Sequence, residues 1–214
     1  MMETTIQYDV GKHPTKDTIK MMTFLLEKVM DAKEEPPKQK LSTCFHARSI
    51  PSISIHAYLM RILKYCPCAN ECFLAVLVYF DRISQSAITI DPYNIHRLLI
   101  SGIMVASKLY SDVFFTNTRY AKVGGLPVTE LNRLELEFIA MNQFSLFVSM
   151  EELQHYGDQL LQHWLAEHHS NETVDTEEDT IAPTVRRRAR NLSIHENTAP
   201  STHLEHVHKK PSTK

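Results

Sequence analysis

The chain has 214 residues, with 23 Lys and Arg against 25 Asp and Glu, and a formal charge of −2 at pH 7. So even a balance excludes the overall basic surface that draws nucleic acid or anionic membrane. The length suits one domain of ordinary size plus tails.

The N-terminus, MMETTIQYDVGK, has no apolar run of signal-peptide type. Apolar runs such as FLAVLVYF stop far short of the ~20 residues a membrane helix needs. An intracellular protein of the nucleus and/or cytoplasm is expected, with no membrane partner. Thr15 to Met30 has Ile19, Met22, Leu26 and Val29 at helical spacing, with Lys16, Lys20, Glu27 and Lys28 on the other face. KEEPPKQK then reads as a linker, since Pro36 and Pro37 stiffen it. Residues 1–49 are thus an expected N-terminal helix and linker.

The compact part starts near Ile50. Ser52 or Ser54 can cap a helix in ISIHAYLMRILKY, whose buried arc is Ile55, Tyr58, Leu59, Ile62 and Leu63. Pro67 ends it. A second helix is predicted over Ala69 to Gln85, apolar on both sides. A third is capped by Asp91, carries Pro92 in its first turn and runs to Tyr110. After a loop with Asn117-Thr118, RYAKV makes a short helix stopped by Gly124-Gly125. Thr129 is the predicted cap of VTELNRLELEFIAMNQF. A last helix begins near Ser149 and fades after Trp164.

Residues 149–167 are therefore a C-terminal helix. Residues 168–214, without aromatics, are expected to form a disordered polar tail. That tail holds a basic run at Arg186 to Arg190, a possible kinase acceptor at Ser193, and His203, His206 and His208. The overall expectation is all-α.

Two features bear on chemistry. The third predicted helix is apolar nearly all round, except for a strip of Arg97, Ser101 and Lys108 lying within about 40° of one another. The strip is either a window on water or a contact. In the last helix of the compact part, Glu135 projects inside an apolar arc, where a carboxylate is costly unless a cation or donor meets it. Lys108 is a candidate. Asp81 poses the same problem, with Arg61 or Arg82 as answers.

No phosphate loop, nucleophile elbow or metalloprotease motif appears. Cys66, Cys68 and Cys72 cluster in CPCANEC, but a structural zinc needs a second ligand pair, so they read as reduced thiols. No cofactor, metal or catalytic residue is expected. A helical scaffold or transcription-factor-like module is the alternative class. It predicts a basic face, whereas residues 50–165 hold 8 basic and 10 acidic side chains.

Four segments, ISIHAYLMRILKY, LAVLVYFDRIS, IMVASKLYSDVFFTNTRYAKVGGL and ELNRLELEFIAMNQFSLFVS, together resemble one cyclin box over residues 50–148. The likeness is nearest to fungal phosphate-pathway (Pho/PCL-type) and plant P/U-type cyclins. It implies a single five-helix box with flanking N- and C-terminal helices. It also implies a non-catalytic subunit that binds and activates a cyclin-dependent protein kinase, in the cell cycle or in nutrient and phosphate signalling. Lys108 and Glu135 stand where the family contacts the kinase. Arg61 and Asp81 stand where it has a structural salt bridge. The Met-Arg-Ala-Ile-Leu docking patch of many cyclins is here Met60-Arg61-Ile62-Leu63, one residue short. The tail is too polar to form a second five-helix repeat.

Overall fold

A computed structural model describes residues 7–32, 43–85 and 88–172. The seven helices among them are α1 (Thr15–Asp31), α2 (Ile55–Tyr65), α3 (Asn70–Ser84), α4 (Ile95–Tyr110), α5 (Asn117–Gly124), α6 (Val128–Met141) and α7 (Met150–Glu172). No strand occurs among the described residues. None of these helices is long and apolar enough to cross a membrane.

α4 is the axis of the bundle. From Leu98 to Ser107 every residue is buried, because α3 and α6 pack on it along most of its length and α2 and α5 cover the rest. Gly102 permits the closest approach. A Cβ there would stand 3.0 Å from Cζ of Phe138 on α6 and 3.2 Å from Cγ2 of Val76 on α3. α1, α3 and α7 close the other side, with Ile19, Met22 and Leu26 of α1 buried.

Capping sets the helix starts, and two differ from expectation. Ser54 caps α2 by accepting from the Ala57 N–H. Asp91 does not cap α4. Its carboxylate accepts from the N–H groups of Tyr93 and Asn94 and so caps the preceding turn, and the helix starts only at Ile95. Thr129 lies inside α6, which follows Pro127, a residue preset for helix entry by its fixed φ. α5 begins at Asn117, two residues before RYAKV, capped by Thr116, and is closed by Gly125, whose φ of +71° suits a residue without Cβ. α7 runs on past Trp164 to Glu172. The expected features beyond residue 172, namely the basic run, Ser193 and the three tail histidines, lie outside the described residues, as does the Pro36-Pro37 linker.

The segment before α1 is more than a lead-in. Tyr8 and Val10 are buried, and the Tyr8 ring fits against Gly157 of α7, where any Cβ would collide with it. The Tyr8 hydroxyl shares a 2.7 Å hydrogen bond with Thr18, and its N–H donates to Asp158 at 2.8 Å. Asn70 at the start of α3 donates to the carbonyls of Val10 and His13. Burial pushes the Tyr8 hydroxyl up to about 12. A second strap, residues 43–47, drives Phe45 fully into the core against Phe138. His46 fixes it, 3.4 Å from the Asp91 carboxylate.

Candidate functional site: a partner-docking face

Lys108 lies in the last turn of α4 and Glu135 near the middle of α6. Their side chains meet, Lys108 Nζ donating to Glu135 Oε1 at 2.5 Å. Glu135 is largely withdrawn from solvent, its side chain 15% exposed against 31% for Lys108. The second carboxylate oxygen accepts from Asn117 Nδ2 at 2.8 Å, and Asn117 also donates to Asn132. Three helices thus converge on one carboxylate, which answers the cost of burying it. The sequence places Asn117 in a loop and gives no local sign of this role. It is in fact the first residue of α5.

The polar strip on α4 is not a window on water. Ser101 is completely buried, and Arg97 pairs with Glu130 at 2.8 Å. At its two ends Arg97 and Lys108 each pair with a carboxylate of α6, and both cations stay partly exposed.

Exposed apolar side chains are concentrated in the segments that carry and follow Lys108 and Glu135. Seven of the eleven most exposed large hydrophobics are Leu109, Val113, Phe114, Leu136, Phe144, Phe147 and Met150, which flank the Lys108 and Glu135 positions in sequence. Such concentration exceeds the scattered single apolar residues that are ordinary on a protein surface. The segment carrying two of them is held rigidly. Tyr79 and Tyr110 donate to the Leu146 carbonyl, Arg82 donates to that of Ser145, and the Val148 N–H donates to Tyr110. Gln143 and Phe144 both adopt positive φ, 53° and 59°. A left-handed conformation is costly for residues with a Cβ. Here it reverses the chain after α6 and leaves Phe144 76% exposed.

Arg61 and Asp81 do not meet. α2 packs on α1, α4 and α5. Arg61 projects from it towards α5, donating to the Lys122 carbonyl at 3.4 Å. Asp81 is exposed on the side of α3 that faces α7, where it accepts from Tyr156 at 3.1 Å and from Gln85. Arg82 serves a different carboxylate, Glu152, at 3.0 Å. The expected structural salt bridge is replaced by these two separate contacts. Asp81 needs no cation because it is not buried.

The cysteines Cys44, Cys66, Cys68 and Cys72 are free thiols. Among the described residues no three metal-ligating side chains come together. A hydrogen bond with Cys72, and burial, push the Cys68 thiol up.

The fold is an all-helical bundle around one central helix, with a partly exposed lysine paired to a largely buried glutamate between α4 and α6. The family model for cyclins matches residues 19–146. This chain belongs to the cyclin family. It is 59% identical over 120 residues to the PHO85 cyclin-like protein psl1 of Schizosaccharomyces pombe, covering 55% of this chain and 49% of that protein. It is 39% identical over 193 residues to PHO85 cyclin-7 of Saccharomyces cerevisiae, covering 76% and 68%. With Cyclin-U4-1 of Arabidopsis thaliana it shares 40% over 138 residues, covering 61% and 68%. The chain spans about half to two thirds of the length of these relatives.

Proposed function

We propose that this chain is the regulatory subunit of a Pho85-type cyclin-dependent protein kinase, and that Lys108 and Glu135 anchor the kinase. The names of the fungal relatives attach them to PHO85. The observation that carries the site is the ion pair itself, partly buried, with seven exposed aromatic and aliphatic side chains flanking its two residues in sequence. Charged anchors at the centre of an apolar patch fix register, while the surrounding apolar area supplies contact energy.

The mechanism follows from population shift. A kinase of this class needs a lysine–glutamate ion pair of its own, completed when its regulatory helix is seated. A partner that binds the seated helix better than the displaced one moves the equilibrium by the ratio of the two affinities. On this reading the cyclin performs no chemistry. The rigid 145–148 segment and the αL turn present Phe144 and Phe147 without much ordering cost.

The test is quantitative binding of the Lys108→Ala and Glu135→Gln variants to the purified kinase subunit. Each should bind at least about 30-fold more weakly, the effect of a hot-spot residue worth about 2 kcal/mol. Helical circular dichroism should be retained. Parental affinity in both variants would remove the pair from the interface.

A further inference from the structure

We infer that Tyr79 and Tyr110 are positioning residues for kinase docking, and that they act through Phe147. This role rests on the kinase docking proposed above and adds a contact that the Lys108–Glu135 pair does not supply. α6 ends at Met141 and α7 begins at Met150, so residues 142–149 form a connection outside both helices. Phe147 lies in that connection with its side chain 73% exposed.

The backbone on both sides of Phe147 is nonetheless fixed. The Leu146 carbonyl, just before it, accepts from the Tyr79 hydroxyl at 2.7 Å and from the Tyr110 hydroxyl at 3.2 Å. The Val148 N–H, just after it, donates to the Tyr110 hydroxyl at 2.7 Å. One phenol oxygen therefore holds both peptide groups that flank the phenylalanine. The Val148 side chain is buried beneath them. Arg82 extends the hold upstream, donating to the Ser145 carbonyl at 2.7 Å and to Glu152 in the first turn of α7.

The two tyrosines reach this point from the packed helices. Tyr79 is fully buried on α3, and its ring meets Phe138 edge-on at 5.9 Å. Tyr110 ends α4 two residues beyond Lys108, so the fixed segment sits against the same end of α4 as the charged pair. Burial raises the Tyr79 phenol well above its ordinary range, so it stays a donor. A buried phenol needs a hydrogen-bond partner, and that need accounts for one acceptor near each hydroxyl. It does not account for both hydroxyls converging on one carbonyl beside an exposed phenylalanine. An aromatic side chain whose backbone is fixed beforehand loses less freedom on contact, and so contributes more of its area to affinity.

The test is a double-mutant cycle on the full chain, read by binding to the purified kinase subunit. Phe147→Ala changes an exposed side chain, so it should keep the parental thermal midpoint while binding at least about tenfold more weakly. Tyr79→Phe and Tyr110→Phe each remove one hydroxyl and should weaken binding at least about threefold. In the Phe147→Ala background the same two changes should alter affinity by less than about twofold, because their effect passes through the missing ring. Amide exchange at Val148 should quicken at least about tenfold in Tyr110→Phe, while amides within α4 and α6 keep parental rates. Parental affinity in Phe147→Ala, or in either tyrosine variant, would overturn the inference. So would an undiminished effect of the tyrosine changes in the Phe147→Ala background, the result expected if the hydroxyls only stabilise the fold. Those outcomes leave the kinase docking standing where Lys108→Ala and Glu135→Gln lose affinity. A parent chain that binds no kinase would overturn both.

Discussion

Gly102 on α4 and Phe138 on α6 touch so closely that α4 has no room for a Cβ at this point without moving the ring. The contact sets the separation of the two helices that carry Lys108 and Glu135. Gly102→Ala should cost about 1–3 kcal/mol, the usual range for overpacking a filled core. Because Phe138 and Val76 hem the site from two sides, the added methyl cannot be absorbed by one side-chain rotation. Urea unfolding should show the loss, and kinase binding should weaken as well through the displaced pair.

Asn117 holds the free oxygen of Glu135, and its removal separates positioning from charge. Asn117→Ala should lower stability by about 0.5–1.5 kcal/mol, the range for one hydrogen bond. Kinase affinity should fall a few-fold, well short of the effect of Lys108→Ala. Equal losses for the two variants would mean that the carboxylate's orientation, rather than its charge, governs binding.

Gly157 and Tyr8 make a second contact that tolerates no Cβ. Gly157→Ala should expel the tyrosine ring, free residues 7–14 to proteases and lower the thermal midpoint. Adding Tyr8→Ala to Gly157→Ala should then cost little more, because the two changes remove one shared interaction. Full additivity would show that Tyr8 stays docked by rearrangement.

His96 gives a pH dependence. It is buried between Tyr58 and the Ile53 carbonyl, to which its Nε2–H donates at 2.9 Å, and its Nδ1 is buried without a partner. Burial lowers its pKa from the ordinary 6.5. The unfolded chain therefore binds a proton at a higher pH than the native chain does. Its contribution to stability is fully present above 6.5 and is lost as pH falls below that value towards the depressed native one. The urea midpoint should drop between pH 7 and pH 5, and His96→Gln should flatten that part of the profile.

Periodicity and capping residues made the helical class readable, because each helix announces its buried face locally. Glu135 could be picked out as a carboxylate in an apolar arc. Its second partner, Asn117, could not, since nothing local tells a loop asparagine from one that begins a helix. The Arg61–Asp81 pairing failed for a related reason. The amphipathic pattern put Asp81 among apolar neighbours on α3, but that side of the helix meets α7 at its edge and stays open to water. Tyr8 was invisible because its pocket is made by a glycine 149 positions further along the chain.

The Tyr8 strap ties the order of assembly to synthesis. Its contacts at Gln154, Gly157 and Asp158 emerge from the ribosome long after the strap itself. Thr18 and Asn70 can engage residues 7–14 earlier, but the strap is not fully seated until α7 is made, and the closing of the bundle is among its last folding events. Contacts so distant in sequence carry a high loop-closure cost and form slowly. A nascent chain truncated before α7 would present the vacant Tyr8 pocket and the uncovered faces of α1 and α3, the kind of transient apolar surface that chaperones retain.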